Sequence, residues 1–381
     1  MTVTRFLPIV LSALVAWGCA PTKPSTEASR DARCQAVTEI AETHGVLTVG
    51  TAVIDEGRVA WTCTAGEERP GVPASAATRF SAASITKTIT AETVLRLAAD
   101  SRLSLDESMA GHWVDPDLAD DPRHEALTPR HALTHRTGFP NWRFFLESGR
   151  LEFLRDPGAG YGYSGEGFDY LARFLEEKLG RGFHDLVQET VFDPIGMESA
   201  TVAPYDPDTT HFALAFDESG RAYGPWCRPG GYCTPEGSVA AAHGLRVTIG
   251  DLAAFLVAVA ENDGYGPAIA GDRDRVQTSV SGGDEPAVDC SAGEPCPEAQ
   301  GYGLGWRVVD GGDDRLLYHG GSDWSEVAVA AVSPVTGDGF VVLLNAPNVR
   351  AARAMPEVLS VIAPDSPLVG HYERLRQRAQ N

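Results

Sequence analysis

Lysine is almost missing from this chain. Its 381 residues include three, Lys23, Lys87 and Lys178, among 31 basic residues, so arginine is the default cation. Acidic residues number 52 and the net charge is −21. A chain so short of cations has little with which to neutralise phosphates, which argues against a nucleic-acid partner. Long apolar runs are missing too. The one near the N-terminus, Phe6 to Trp17, falls short of the ~20 residues a membrane-spanning helix needs. No H-E-x-x-H and no Walker loop occurs. The stretch Gly162-Tyr163-Ser164-Gly165-Glu166 fails G-x-S-x-G at its last position, so no α/β-hydrolase elbow is supported. Gly301-Tyr302-Gly303-Leu304-Gly305 lacks dinucleotide-site spacing. Neither a cofactor nor a metal is expected, and no internal repeat is visible.

What is present begins with an export signal. Arg5 precedes the apolar run, which fits a signal peptide over residues 1–18. The run ends in Ala16-Trp17-Gly18-Cys19, which resembles a bacterial lipoprotein lipobox, with Trp17 unusual in it. The resemblance implies lipidation at Cys19, followed by a polar, proline-bearing tether over residues 19–30. An ordinary secretory signal with an incidental cysteine is the alternative. Membrane attachment is thus expected only through an N-terminal lipid, in the cell envelope, facing the periplasm or the cell surface. Oligomeric state is open.

With Cys19 set aside, six of the seven cysteines remain, an even number in an exported chain. Cys227 and Cys233, and likewise Cys290 and Cys296, enclose short Gly/Pro-rich stretches that suit local disulfides. Cys34 with Cys63 would tie a helix to an early strand. Six cysteines allow fifteen pairings, so this is a preference, and a zinc site is the rival with the wrong spacing.

Residues 31–381 read as one domain. Asp31 to His44 has helical spacing and is stopped by Gly45. Two strand-like runs flank Asp55-Glu56-Gly57, a hairpin signal. Ser84 to Asp100 reads as a buried helix, because it carries so little charge. From about 105 to 250 the pattern is mainly helical: Thr128 and Pro129 open one helix, residues 166–179 form another closed by Gly180, and residues 249–261 a third. Residues 263–300 read as a surface excursion. Strands return in GLGWRVV, RLLYHG, EVAVAAVS and GFVVLLN, and RAARAMPEVLSVI, ending at Ile362, reads as a final helix. The layout predicts an α+β fold, an antiparallel sheet flanked by helices whose first strands pair with its last, with a mainly helical insertion.

The lysine at 87 has a chemical use. Ser84 and Lys87, three apart, share one face of the first turn of a buried helix. Burial and the positive end of the helix dipole both disfavour the ammonium form, so a neutral amine is expected to take a proton from Ser84. Arginine could not do this, because it stays protonated. That is the Ser-Lys form of an activated nucleophile, with helix N–H groups available to an oxyanion. The plainer alternative is that Ser84 caps the helix and Lys87 reaches to water.

A resemblance to a known family begins at these residues. Ser84-Ile85-Thr86-Lys87 resembles the S-x-x-K of the serine β-lactamase and penicillin-binding protein superfamily. HALTHRTGFP (131–140) resembles the LLTHTSGLP of its class C β-lactamase-like branch, and GYGYSGEGFDYL places Tyr163-Ser164-Gly165 on that branch's Y-x-N. VFDPIGM (191–197), AHGLRVTIGDLAAFL (242–256), GYGLGW (301–306) and YHGGSDW (318–324) follow in family order. The resemblance implies the DD-peptidase/β-lactamase-like fold. It makes Ser84 the acylated nucleophile, Lys87 its base and Tyr163 a proton relay. His319 and Gly321 would bind substrate on the strand edging the cleft, and the N–H groups of Ser84 and Ser322 would hold the oxyanion. His135 and His243 fall in no catalytic slot. Taken alone, Tyr163 would be a packed aromatic and His319 a strand histidine.

Two positions depart from the pattern. Gly165 stands where the family has the asparagine that contacts substrate amides, and His319 replaces the lysine that holds an antibiotic's carboxylate. The expected activity is therefore hydrolysis of an ester or a peptide/amide through an acyl-enzyme at Ser84. Genuine β-lactamase activity is the first alternative. A non-hydrolytic lipoprotein that binds penicillin or peptidoglycan is the second.

Overall fold

The computed structural model describes residues 26–380, apart from 204–209, 225–226, 228–232, 234–237, 239, 281–285 and 293–295. The expected signal peptide, Cys19 and the first part of the tether lie outside the described residues. Helix α1 is Thr26–His44, so it begins inside the stretch expected as a tether. It stops at Gly45, whose φ of 66° is the left-handed conformation a helix C-terminus needs.

Strands β1 (Thr48–Asp55) and β2 (Arg58–Arg69) form the expected hairpin. Glu56 and Gly57 at its tip both take positive φ, 47° and 74°, which matches the twist of the flanking strands. The short strands β3 (Val72–Pro73) and β4 (Phe80–Ser81) follow. Then come helix α2 (Thr86–Ala99) and, in the helical part, α3 (Pro129–Leu133), α4 (Gly165–Leu179), α5 (Phe183–Val187) and α6 (Asp193–Ile195). Strand β5 (Arg246–Val247), helix α7 (Ile249–Ala260) and helix α8 (Pro267–Arg273) lead back to the sheet. Its remaining strands are β6 (Ala299–Tyr302), β7 (Arg307–Asp310), β8 (Arg315–Ser322), β9 (Glu326–Val332) and β10 (Gly339–Asn345), before helices α9 (Asn348–Ile362) and α10 (Pro367–Gln380).

The main sheet runs β3-β2-β1-β10-β9-β8-β7-β6 and is antiparallel throughout. First strands pair with last ones, Thr51 opposite Val342 for instance, as the layout predicts. Both faces are covered. Val341 and Leu343 of β10 join a core with α2, α4 and α7, while Phe340, Val342 and Leu344 join one with α1 and α9. That alternation is the two-residue period of a strand buried on both sides.

The local signals explain the helix ends. Thr128 accepts the His131 N–H ahead of Pro129, and Ser164 accepts the Gly167 N–H at 3.0 Å to open α4. Gly180, φ 66°, ends α4. Cys34 is bonded to Cys63, tying α1 to β2, and Cys227 to Cys233 and Cys290 to Cys296.

Three expectations need correction. GLGWRVV is not one strand: Gly303 N–H bonds Trp306 O and Gly305 takes φ 79°, so the chain turns between β6 and β7. Residues 263–300 are not all surface, because α8 buries Arg273 completely. Finally, α9 is not the last helix. α10 packs on it, and brings Leu368 and Tyr372 into the core.

Candidate active site

Ser84 sits in a tight turn, Ala83–Ile85, that runs straight into α2. Ala83 carries a φ of 45°, a conformation a residue with a Cβ seldom adopts. Ser84 Oγ lies 3.2 Å from Lys87 Nζ, which also donates to Ala242 O at 2.9 Å. Lys87 is 1% exposed, among Tyr163, Phe168 and the 241–245 segment, so it does not reach to water. Ser84 does not cap a helix with its side chain. The segment opposite is clipped to α2 twice more, by Thr90 Oγ1 to Ala241 O at 2.7 Å and by Leu245 N–H to Thr86 Oγ1 at 2.9 Å. These bonds fix the amine beside the hydroxyl.

The end of β8 packs against the Ser84 turn. Gly321 is pressed on the turn: a Cβ there would stand 2.4 Å from Ala82 O and 3.3 Å from Ser84 N. Only glycine allows so close an approach. Asp323 N–H bonds Glu326 O across the β8–β9 ladder. By antiparallel alternation Ser322 N–H points to the other edge of β8, and the pairing with β7 ends at Tyr318. Ser84 and Ser322 line the same cavity, on either side of the Gly321 contact.

Tyr163 lies over the amine, its ring centre 4.9 Å from Lys87 Nζ. Its hydroxyl makes no hydrogen bond among the described residues. Behind it lies His135, ring centre to ring centre 4.3 Å, buried and at φ 53°. Ser164 N–H donates to His135 Nδ1 at 3.1 Å. Burial first, then the charges of Lys87, His319 and Arg307, hold the His135 imidazole well below its usual range. So His135 supports the Tyr163 loop as a neutral ring.

His319 differs from its expected role. It is 2% exposed, its Nδ1 lies 2.6 Å from Gly320 O and its Nε2 2.9 Å from Tyr302 Oη. A carbonyl can only accept, so Nδ1 carries the proton and Nε2 accepts from Tyr302. Both nitrogens are occupied within the protein, and no donor is left for a substrate. Burial, with the charges of Lys87 and Arg307, pushes its pKa down to about 3.

Gly165 is not an empty space. A Cβ there would stand 2.4 Å from Trp142 Cη2 and 2.5 Å from its Cζ2, so the indole fills the place of any side chain at 165. Sequence reasoning missed Trp142, two residues after Pro140. It also set aside His243, whose ring meets Trp142 edge to face at 5.4 Å. Both line a cavity of about 530 Å³ with Ser84, Lys87, Tyr163 and His319, and α10 closes its far wall with His371, Tyr372 and Leu375. Among the described residues no group of three or more His, Cys, Asp or Glu is placed to hold a metal ion, and no helix is long and apolar enough to cross a membrane.

A serine hydroxyl held beside a lysine amine at the floor of a cavity is the arrangement of an activated nucleophile. The chain is 30% identical over 175 residues to the D-aminopeptidase of Gluconobacter oxydans (strain 621H), which covers 40% of this chain and 32% of that one. It spans about half the length of other curated relatives it matches, 54% in the first of them. Its fold is similar to the octameric penicillin-binding protein homologue from Pyrococcus abyssi, with a TM-score of 0.68, 19% identity and coverage of 88% and 78%. It is also similar to a D-stereospecific amidohydrolase from Streptomyces sp., with a TM-score of 0.64, 21% identity and coverage of 88% and 98%. Residues 34–361 match the beta-lactamase family, and the chain belongs to that family and carries its serine-hydrolase fold.

Proposed function

We propose that this protein is an exported serine hydrolase that forms an acyl-enzyme at Ser84 on an ester or a peptide/amide, including amides with D-configured groups. The observation that carries the reading is the 3.2 Å approach of Ser84 Oγ to Lys87 Nζ on the cavity floor, beside the Gly321–Ser322 edge. Lys87 takes the Ser84 proton as Oγ attacks the carbonyl carbon. The N–H groups of Ser84 and Ser322 hold the oxyanion. The proton returns through Lys87 and Tyr163 to the leaving amine or alcohol. Water, deprotonated by the same pair, then releases the acid. The named activities of the D-aminopeptidase and the D-stereospecific amidohydrolase favour a D-configured amide over a β-lactam. So does His319, whose occupied nitrogens offer an antibiotic's carboxylate nothing. Three disulfides support export to an oxidising compartment, and we place the chain in the envelope, held by a lipid on Cys19.

A fluorophosphonate should label the wild type and not Ser84→Ala. A p-nitrophenyl ester should be turned over by the wild type and not by Lys87→Ala. No labelling of the wild type, or equal labelling of Ser84→Ala, sinks the acyl-enzyme reading and leaves a non-hydrolytic binding protein. Nitrocefin turnover that matches ester turnover would make the protein a β-lactamase instead. Globomycin-sensitive processing, lost in Cys19→Ala, tests the lipid.

A further inference from the structure

The wall facing β8 is built from Asn141 and Trp142, and its geometry assigns it a ligand. Asn141 is clamped to the start of α4. Gly165 N–H donates to Asn141 O at 3.0 Å and to its Oδ1 at 3.0 Å, and Glu166 N–H donates to Asn141 O at 3.1 Å. Ser164 Oγ donates to Pro140 O at 2.7 Å, which fixes the preceding residue. An atom that accepts from a backbone N–H must be the amide oxygen, so the carboxamide orientation is set chemically. Its Nδ2 makes no hydrogen bond among the described residues, and Asn141 lines the cavity that holds Ser84 and Lys87. A pinned amide presenting two unused donors to a cleft is a recognition element for a carbonyl oxygen.

Trp142 stands beside it, seated against Gly165 where no side chain can come between. From there an aromatic surface runs outward. Trp142 stacks on Phe144 with ring centres 5.8 Å apart and 11° between planes, and Phe145 meets Phe144 at 4.7 Å. Phe144 is 64% exposed and Phe145 69% exposed. Rings left so open cost free energy in water unless a ligand covers them.

We infer that Asn141 and Trp142 form a substrate subsite: Asn141 Nδ2 donates to a carbonyl oxygen outside the scissile group, and the Trp142–Phe144 surface takes the apolar or aromatic side chain next to it. The substrates are then N-acylated amino-acid or peptide derivatives, rather than small simple esters. The inference rests on the proposed hydrolase reading, and its tests separate the two.

The kinetic test compares p-nitrophenyl esters of N-acetyl-phenylalanine, of both hands, with p-nitrophenyl acetate. Asn141→Ala should lower kcat/KM for the phenylalanine ester about fivefold more than for the acetate, mainly through KM, as the loss of one neutral hydrogen bond implies. Trp142→Ala should erode the same preference about tenfold. Gly165→Ala should mimic it, because the new methyl dislodges the indole. Equal losses on both esters, or none, overturn the subsite. A binding test needs no turnover: Ser84→Ala should bind N-acetyl-phenylalaninamide in calorimetry, and Ser84→Ala/Asn141→Ala about fivefold more weakly. Unchanged binding overturns the inference even where the hydrolase reading stands. A wild type that turns over neither ester, while Ser84→Ala binds the amide through Asn141, overturns the hydrolase reading and keeps the subsite.

Discussion

Gly321 and Ala82 touch where the cleft is made: the α-carbon of one faces the carbonyl of the other so closely that a Cβ would lie 2.4 Å from Ala82 O. The contact sets the distance between Ser322 N–H and Ser84. Gly321→Ala should force β8 off the turn and spoil the oxyanion donors. A loss of about 10²–10³-fold in kcat is expected. Circular dichroism should still show folded protein, since the contact lies at the end of a strand. A variant with full activity would mean that this edge does not hold the oxyanion.

His319 should make the protein acid-sensitive. Its folded pKa, about 3, lies below the ordinary 6.5, so the unfolded chain binds a proton where the folded one does not. Its contribution to stability is present above pH 6.5 and is lost as pH falls from there toward 3. His135 acts in the same direction. Between pH 7 and 4.5 the urea midpoint of the wild type should fall more than that of His319→Asn, by an amount corresponding to about 2.5 kcal/mol at most. Parallel curves for the two proteins would show that protonating His319 costs the fold nothing.

Asp169 should act in the opposite sense. It lies on α4 and accepts Ala242 N–H at 3.3 Å, on the same peptide segment whose carbonyl holds Lys87. Burial, reinforced by Glu166, pushes its pKa up to about 7, against the opposing pull of Lys87 and the N–H groups of Ala242 and Ala241. Its contribution is full below the unfolded value of 3.8 and is lost as pH rises through 7. Asp169→Asn keeps an acceptor for Ala242 and should melt higher than the wild type at pH 8, with the gap closing at pH 5. A constant gap over that range would rule out Asp169 as the titrating group.

How far the sequence could be read depended on how local each cause was. Ser84 and Lys87 lie one helical turn apart, and their chemistry needs only burial, which the uncharged stretch around them announces. The Glu56-Gly57 turn and the Thr128 and Gly180 helix ends are equally local. The order of family segments added Tyr163 and the β8 edge. What escaped is made by contacts across the chain. Trp142 filling the space over Gly165 joins a loop to the start of α4, and neither residue signals the other. His319 shows a histidine in the right place, but its silence toward substrate comes from Tyr302 on another strand. α10 has apolar residues at 368, 369, 372 and 375, a helical period, yet the helix before it already looked like an ending.

Arg273 is the hardest of these cases and gives the sharpest stability prediction. In sequence it sits in a charged, glycine-bearing stretch that reads as surface. In the fold its side chain is fully buried, and five acceptors surround it. Nε donates to Asp274 at 2.6 Å, Nη1 to Val259 O at 2.9 Å and to Tyr265 Oη at 2.6 Å, and Nη2 to Asn262 at 3.0 Å, while Glu92 lies 3.7 Å away. Glu92, on α2, accepts in turn from Tyr265 Oη at 2.6 Å and Trp306 Nε1 at 3.1 Å. Every polar atom of the pair has a partner, so the cluster is tolerable where either charge alone is not. Arg273→Met should strand a buried carboxylate and lower stability by about 3–5 kcal/mol. Glu92→Gln/Arg273→Met removes both charges and should recover a large part of that loss, because the remaining amide still accepts from Tyr265 or Trp306. Urea unfolding of the single and double variants measures this directly. Additive losses would mean that Glu92 and Arg273 are not coupled. Since α2 carries Lys87, the single variant should also lower the rate of Ser84 labelling by fluorophosphonate, and the double variant should restore it.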